Sequence, residues 1–222
     1  KQQTVKPGSM KSIGPSMRKA QEWFKSTNVK EIGYAEIEDF LLAQKDISTK
    51  TRHNSKSQLH DFFSWLVKRR VIRRDQMPEF PEVHFQLGER KTIDKATQTA
   101  ILEEVHRMCW KRQPRVYIGI KWLTTYINVR PGELLGILEE DIDLDQGIIV
   151  IRSHKTDRQT KKLNLITLLE EDTELIRSLP KGFPKMHFFR RDTGGGGKTT
   201  GTPFGPRMFY RNWMRACENL GI

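Results

Sequence analysis

The sequence predicts a mainly α protein with one small antiparallel β-sheet, an α+β fold, in two parts that meet near residue 89. Three observations predict it. Apolar residues recur at i, i+3, i+4 and i+7 along both halves of the 222-residue chain, the spacing of a buried helix face. Between residues 142 and 166 that spacing gives way to short runs of branched residues around a glycine-bearing turn, the pattern of paired strands. Residues 75–90, "DQMPEFPEVHFQLGER", hold two prolines and no helical period, which makes them the best linker candidate and divides the chain into 1–88 and 89–222.

Taken in order, residues 1–15 are polar, contain Pro7, Gly8, Gly14 and Pro15, and read as a loose lead-in. Met17, Ala20, Trp23 and Phe24 then share one helical face, and Ile37, Phe40 and Leu41 repeat that spacing in a second helix. A third helix starts near Ser48 or Thr49, either of which can be its N-cap, and carries the stripe Leu59, Phe62, Phe63, Leu66 and Val67. In the second half Asp94 caps a helix bearing Ile101, Leu102, Val105, Met108 and Cys109, and "VYIGIKWLTTYI" is a more buried helix ending just before Arg130. Pro131 suits the first position of a new helix, where its missing N–H costs nothing. Asp145-Gln146-Gly147 reads as a tight turn leading into a strand at Ile148–Ile151, and a polar tip at 153–161 separates it from a strand at Leu163–Ile166. Residues 168–179 read as a helix, "TGGGGKTTGTP" as a loop, and Phe209, Trp213, Ala216, Cys217 and Leu220 mark a last helix.

Composition narrows the function. Hydrophobic content of 36% against 30% charged is low for a compact enzyme, yet apolar runs along the whole length exclude global disorder. No stretch of 18 apolar residues exists, so no membrane helix is expected. The chain opens on Lys1 without a signal-peptide pattern, and its N-terminus reads as trimmed. Cys109 and Cys217 each fall on an apolar stripe and read as reduced core thiols of a cytoplasmic protein; no Cys/His cluster has zinc spacing, so no metal or other cofactor is expected.

Charge carries more information. Thirty-nine Lys and Arg against 27 Asp and Glu give +12 and a pI near 9.8, which points to a polyanion, most often nucleic acid, with a basic membrane-surface protein as the other reading. Each half keeps +6, so two basic parts on a short linker can close around a duplex from opposite faces. Residues 45–74 hold nine basic side chains and two acidic ones. Within them the first turns of the third helix, "KTRHNSKSQ", have no apolar residue, so this end either protrudes into water or meets a polar ligand. Thr49, Lys50, Arg52, Asn54, Lys56 and Ser57 are the candidate DNA contacts, with the free N–H groups of the helix start available to a phosphate.

Arg130 stands between two apolar runs in "TTYINVRPGELLGI". An arginine keeps its proton, so burial there requires an anionic partner: an internal carboxylate, Glu133 or Glu139, or an anion from outside. Three other motifs invite functional readings. "DTGGGGKTT" fails as a phosphate-binding P-loop, because the required glycine five positions before Gly197 is Asp192. His154 reads as one polar residue on a hairpin. "HFFR", His187 to Arg190, with Tyr210 further on, is the third.

The segment "INVRPGELLGILEEDIDLDQGIIVIRSHKT…KKLNLI" resembles the catalytic domain of tyrosine recombinases, specifically phage-type integrases, and "ISTKTRHNSKSQLHDFFSWLVKRRVI" is similar to a helix of their core-binding domain. The resemblance implies a helical core-binding (SAM-like) DNA-binding domain at 1–88 and a catalytic domain at 89–222. It matches Arg130 to a helix-capping arginine, Glu133 to a supporting acid three residues on, and Lys155 to a hairpin lysine, with Lys161 and Lys162 as rivals. Asn164 departs from a common proline.

The activity implied is cleavage and rejoining of DNA strands through a 3′-phosphotyrosine, for DNA integration and recombination. Arg130 would hold the scissile phosphate and stabilise its transition state, and Lys155 would protonate the leaving 5′-oxygen, with no metal needed. The implied partners are double-stranded DNA at attachment sites, three further copies in a homotetramer on DNA, and DNA-bending accessory proteins, in the cytoplasm with the nucleoid. The family's His-x-x-Arg box and tyrosine nucleophile follow a segment like "PFGPRMFYRNWMRACENLGI", so the 222 residues are expected to be C-terminally incomplete and inactive alone, with "HFFR" too early to be the box. A non-catalytic DNA-binding regulator derived from an integrase is the competing function.

Overall fold

The computed structural model describes residues 7–88, 92–126, 129–152, 164–194 and 200–222, and the chain divides into two compact units, Lys1–Lys91 and Thr92–Ile222. The protein is mainly helical with one three-stranded antiparallel sheet.

The first unit holds three helices, α1 (Pro7–Phe24), α2 (Tyr34–Ala43) and α3 (Thr49–Lys68). α1 begins well before the expected stripe: Pro7 opens it, and Pro15 is tolerated inside because it lies on an exposed side, where water can satisfy the carbonyl that loses its donor. Ser48 is the N-cap of α3, its Oγ accepting from the Thr51 N–H at 3.2 Å. Ile37, Phe40 and Leu41 of α2 pack with Leu59, Phe63 and Leu66 of α3 around Ala20, Ile32 and Ile72. The proline-bearing stretch after α3 is not solvent-borne throughout. Met77, Phe80 and Val83 lie against this core, and the Phe80 ring sits 6.1 Å from that of Phe63.

In the second unit α4 (Lys95–Cys109), α5 (Pro114–Thr125) and α8 (Met208–Leu220) form the helical layer. Asp94 caps α4, accepting from the Thr97 N–H at 2.8 Å, and those N–H and hydroxyl donors hold its carboxyl below the usual range. α5 ends at Thr125, several residues before Arg130, so the expected run of helix into the arginine is shortened. Gly119 on α5 lets α8 approach closely: a Cβ there would stand 2.2 Å from the Phe209 ring. A single turn, α6 (Pro131–Leu134), leads to the sheet, in which β1 (Ile142–Asp143), β2 (Ile148–Ile151) and β3 (Asn164–Thr167) pair in order. The β1–β2 turn is closed by Asp143 Oδ1, which accepts from the Asp145 and Gln146 N–H groups, and by Gly147 at φ +63°. Register pairs Ile149 with Ile166, placing both in the core with Ile151, while β3 runs one residue further than expected, to Thr167. α7 (Glu170–Arg177) follows, shorter at both ends than the sequence suggested. Both cysteines are free and buried.

Candidate functional site

Arg130 occupies the N-cap of α6 in an extended conformation, φ −106° and ψ 148°, and the chain turns helical immediately after it because Pro131 presets the helical φ. Glu133, three residues on, reaches back. Its Oε2 accepts from the Arg130 N–H and its Oε1 from the guanidinium Nη1, both at 3.0 Å. The carboxylate is buried, with its side chain 6% exposed, whereas the Arg130 side chain is 55% exposed. One turn of chain thus anchors the arginine through a buried carboxylate and leaves about half of its side chain exposed. Of the two internal partners suggested by sequence, Glu133 is the one used; Glu139 is committed elsewhere. With four residues α6 has little macrodipole, and Glu133 already takes the Arg130 N–H, so the charge of this site comes from the guanidinium rather than from the helix.

Glu139 belongs to a buried group of four charges. Arg190 donates through Nη1 to Glu139 Oε1 and to the His187 carbonyl, the latter at 2.7 Å. Arg115 donates to Asp192 Oδ1 and, at 2.7 Å, to the Pro180 carbonyl, with Glu139 Oε1 3.7 Å away. Its side chain is 2% exposed, and burial, with Arg190 nearby, lowers the guanidinium to about 10, still protonated at neutral pH. Gly182 makes room for this: a Cβ there would lie 2.6 Å from Arg190 Nη2. "HFFR" is therefore a core strut, with His187 Nδ1 hydrogen-bonded at 2.9 Å to the Leu135 carbonyl oxygen and Phe188 and Phe189 fully buried.

A second ionic group ties α5 to α7. Asp172, wholly buried, accepts from Lys121 Nζ and from the Tyr126 hydroxyl, each at 2.6 Å, and the Leu169 N–H donates to that hydroxyl at 3.0 Å. Burial and the Asp172 hydrogen bond push the Tyr126 phenol above its ordinary range. Burial lowers the Lys121 ammonium, but Asp172 and Glu171 outweigh it and leave a net rise. Sequence reasoning missed both ionic groups. The one available signal was Arg115 and Lys121 inside an otherwise apolar helix.

At the start of α3, Thr49, Asn54 and Ser57 are exposed, while Lys50, Arg52 and Lys56 are partly covered. Arg52 donates to the Gln44 carbonyl at 3.1 Å, Lys50 Nζ sits 3.6 Å over the Phe85 ring, and His53 Nδ1 lies 3.1 Å from the Val83 carbonyl oxygen. Part of this apolar-free helix end is therefore satisfied by its own unit, through a route that the sequence reading of water or ligand did not include. Lys155, the rival lysines Lys161 and Lys162, and His154 lie outside the described residues. Arg130 and Glu133 share one site in the second unit; the α3 candidates form another in the first. Among the described residues no group of His, Cys, Asp and Glu is placed to hold a metal ion, and no helix is long and apolar enough to cross a membrane.

No family model and no curated protein matches the sequence. Solved structures do match the fold. The Tn1549 transposon integrase in complex with a circular intermediate DNA aligns over 98% of this chain and 74% of its own, at 18% identity and a TM-score of 0.71. A lambda integrase dimer bound to a COC′ core site aligns over 100% and 77%, at 14% identity and 0.71. A lambda integrase tetramer bound to a Holliday junction aligns over 100% and 62%, at 15% identity and 0.72. The chain has the tyrosine-recombinase fold.

Proposed function

We propose that these 222 residues are the DNA-binding and phosphate-activating part of a site-specific DNA strand transferase. One observation carries the proposal: in an integrase fold, Arg130 is held by buried Glu133 while its side chain stays 55% exposed. A preorganised guanidinium on a half-exposed side chain suits a phosphate whose negative charge grows in a pentacoordinate transition state. In that step a tyrosine hydroxyl loses its proton to solvent and its oxygen bonds to the scissile phosphorus, the bond from phosphorus to the 5′-oxygen breaks, and a proton reaches that oxygen to give a free 5′-hydroxyl. Arg130 stabilises the phosphoryl oxygens, Glu133 orients Arg130, and Lys155 supplies the proton. The first unit grips the duplex through Thr49, Lys50, Arg52, Asn54, Lys56 and Ser57. As in the complexes of its structural neighbours, the working form is an assembly on DNA, here a tetramer at attachment sites with bending proteins as helpers.

On this proposal the nucleophile is none of the four tyrosines of this chain, a reading that the placement of three of them supports and that leaves Tyr210 to be tested. Tyr126 is engaged by Asp172, Tyr117 packs edge-on to His106 and Trp110, and Tyr34 belongs to the first unit, where it donates to Glu38. Tyr210 is exposed on α8, beside the buried Phe209. If no tyrosine reaches the phosphate, the second reading is a DNA-binding regulator without strand cleavage.

The test uses the 222-residue chain with a duplex and with a nicked suicide substrate. Neutralising about six phosphates gives a log–log salt slope of roughly −5, and no denaturation-resistant adduct forms. Binding indifferent to salt sinks the DNA reading. An adduct that disappears in Tyr210→Phe overturns the assignment of the nucleophile. A longer protein containing these residues that cleaves the suicide substrate excludes the regulator.

A further inference from the structure

α3 is charged at both ends, and the DNA contacts proposed above use only its first two turns. Its other end runs into an exposed turn holding Lys68, Arg69, Arg70, Arg73 and Arg74 within seven residues, with Asp75 as the acid that pairs with Arg73, at 2.9 Å. This turn is built rather than loose. The Arg70 N–H bonds to the Val67 carbonyl at 2.9 Å, the Val71 N–H to the Leu66 carbonyl at 3.0 Å, and Ile72 is buried. That is a Schellman closure, whose left-handed position glycine normally fills. Here it is Arg70, at φ +58°, so the chain holds a strained backbone and keeps a cation where the uncharged residue would fit without strain.

A polar stripe joins the two ends. Lys50, Asn54, Ser57, Asp61, Ser64 and Lys68 follow one another at alternating spacings of four and three, all exposed or half-exposed, so they lie along one side of α3. From Lys50 to Lys68 the helix rises about 27 Å at 1.5 Å per residue, and the turn extends beyond it. Phosphates on one side of B-DNA recur after roughly 34 Å, one helical turn. Asp61 lies on the same side, about midway between the charged ends, and is the acid that such a pose has to accommodate.

Resting on the DNA reading, we infer that α3 lies side-on along the duplex and that residues 68–74 are a second phosphate clamp, about one helical turn from the contacts of Lys50, Asn54 and Ser57, the members of the first group that share this side. The clamp binds sequence-independent backbone flanking the recognised site. Density of charge and rigidity of the turn favour nucleic acid over an acidic protein surface, because every contact offered is a cation and none is apolar except half-exposed Val71.

The experiment measures binding of the full 222-residue chain to duplexes of about 7 base pairs, closed by a hairpin and only about 24 Å long, and of about 30 base pairs across a salt series, with self-association followed in parallel. The variant Lys68→Gln/Arg70→Gly/Arg74→Gln is expected to bind the longer duplex at least about tenfold more weakly and to lose about 3 from the salt slope. Its affinity for the shorter duplex, which cannot span both sets of contacts, stays within about threefold, and its melting temperature does not fall, since Arg70→Gly relieves the left-handed strain. Arg74→Gln alone, which disturbs no backbone, lowers the slope by about 1. Equal losses on both duplexes, an unchanged slope, or loss of self-association with DNA affinity intact each overturns the clamp and leaves the DNA reading standing. Absence of salt-dependent binding by the unaltered chain removes both.

Discussion

Arg130 and the Arg115–Arg190 pair lie in the same unit and each meets a carboxylate, but their surroundings differ in kind. Arg115 and Arg190 have side chains 2% and 8% exposed, and Glu139 and Asp192 balance them charge for charge. Arg130 is 55% exposed, and only its carboxylate partner is buried. A buried pair costs desolvation on both sides, so its net contribution is small, but removing one member strands the other and is expensive. A half-exposed arginine contributes little to stability through its ion pair. The lesson is that the two arginine sites differ in what is buried: both members in one case, only the carboxylate in the other, which is the arrangement the proposed role of Arg130 and Glu133 requires.

The comparison predicts effects of graded size. The largest falls on the buried group. Arg115→Met leaves Asp192 without its partner and should cost about 3–5 kcal/mol in denaturant unfolding, while folded protein keeps its DNA affinity. Loss of DNA binding without loss of stability would instead make the buried group a binding site. Next comes Glu133→Gln, which keeps one acceptor for the Arg130 N–H but turns an amide toward the guanidinium. It should cost about 1–3 kcal/mol of stability and, in the protein that supplies the tyrosine, slow cleavage about tenfold with DNA affinity unchanged. If cleavage is untouched, Glu133 does not act through Arg130.

The smallest effect concerns acid. Glu104 accepts from Arg107 on its own helix and from Asn219 of α8, all at 2.6 Å, and these hydrogen bonds bring its carboxyl down to about 2. A depressed folded-state value means that the stabilisation is complete above the unfolded value near 4.3 and is lost as pH falls toward about 2. Asp94, also lowered, adds in the same direction. Glu104→Gln should flatten this acid limb of the melting temperature, and an unchanged limb would show that the α4–α8 contact does not depend on the charge.

The helices were legible because their stripes repeat and their caps are local: Ser48 and Asp94 announce themselves by residue type and by the apolar runs that follow. The sheet was legible from branched runs around Gly147. Extended segments that pack without a period were not. Phe80, Val83 and Phe85 fold back on α3, but two prolines remove any repeat that could say so. Arg130 and Glu133 could be read from their spacing of three around Pro131, because a residue at the third helical position can reach the cap. The Arg115–Asp192 and Tyr126–Asp172 pairs join residues 77 and 46 positions apart, and nothing in the local sequence distinguishes Asp172 from the exposed acids beside it.

Arg130→Ala, in a protein that contains these residues together with the nucleophilic tyrosine, tests the central claim most directly. The measurement is the rate of covalent adduct formation on a suicide substrate, taken beside the DNA dissociation constant. A guanidinium that acts on the transition state should lower the rate by about 10²–10³ when lost, whereas one contact among many should change affinity by no more than about threefold. Cleavage that persists at the original rate, or that falls only in step with affinity, would contradict the assignment of Arg130 to the scissile phosphate.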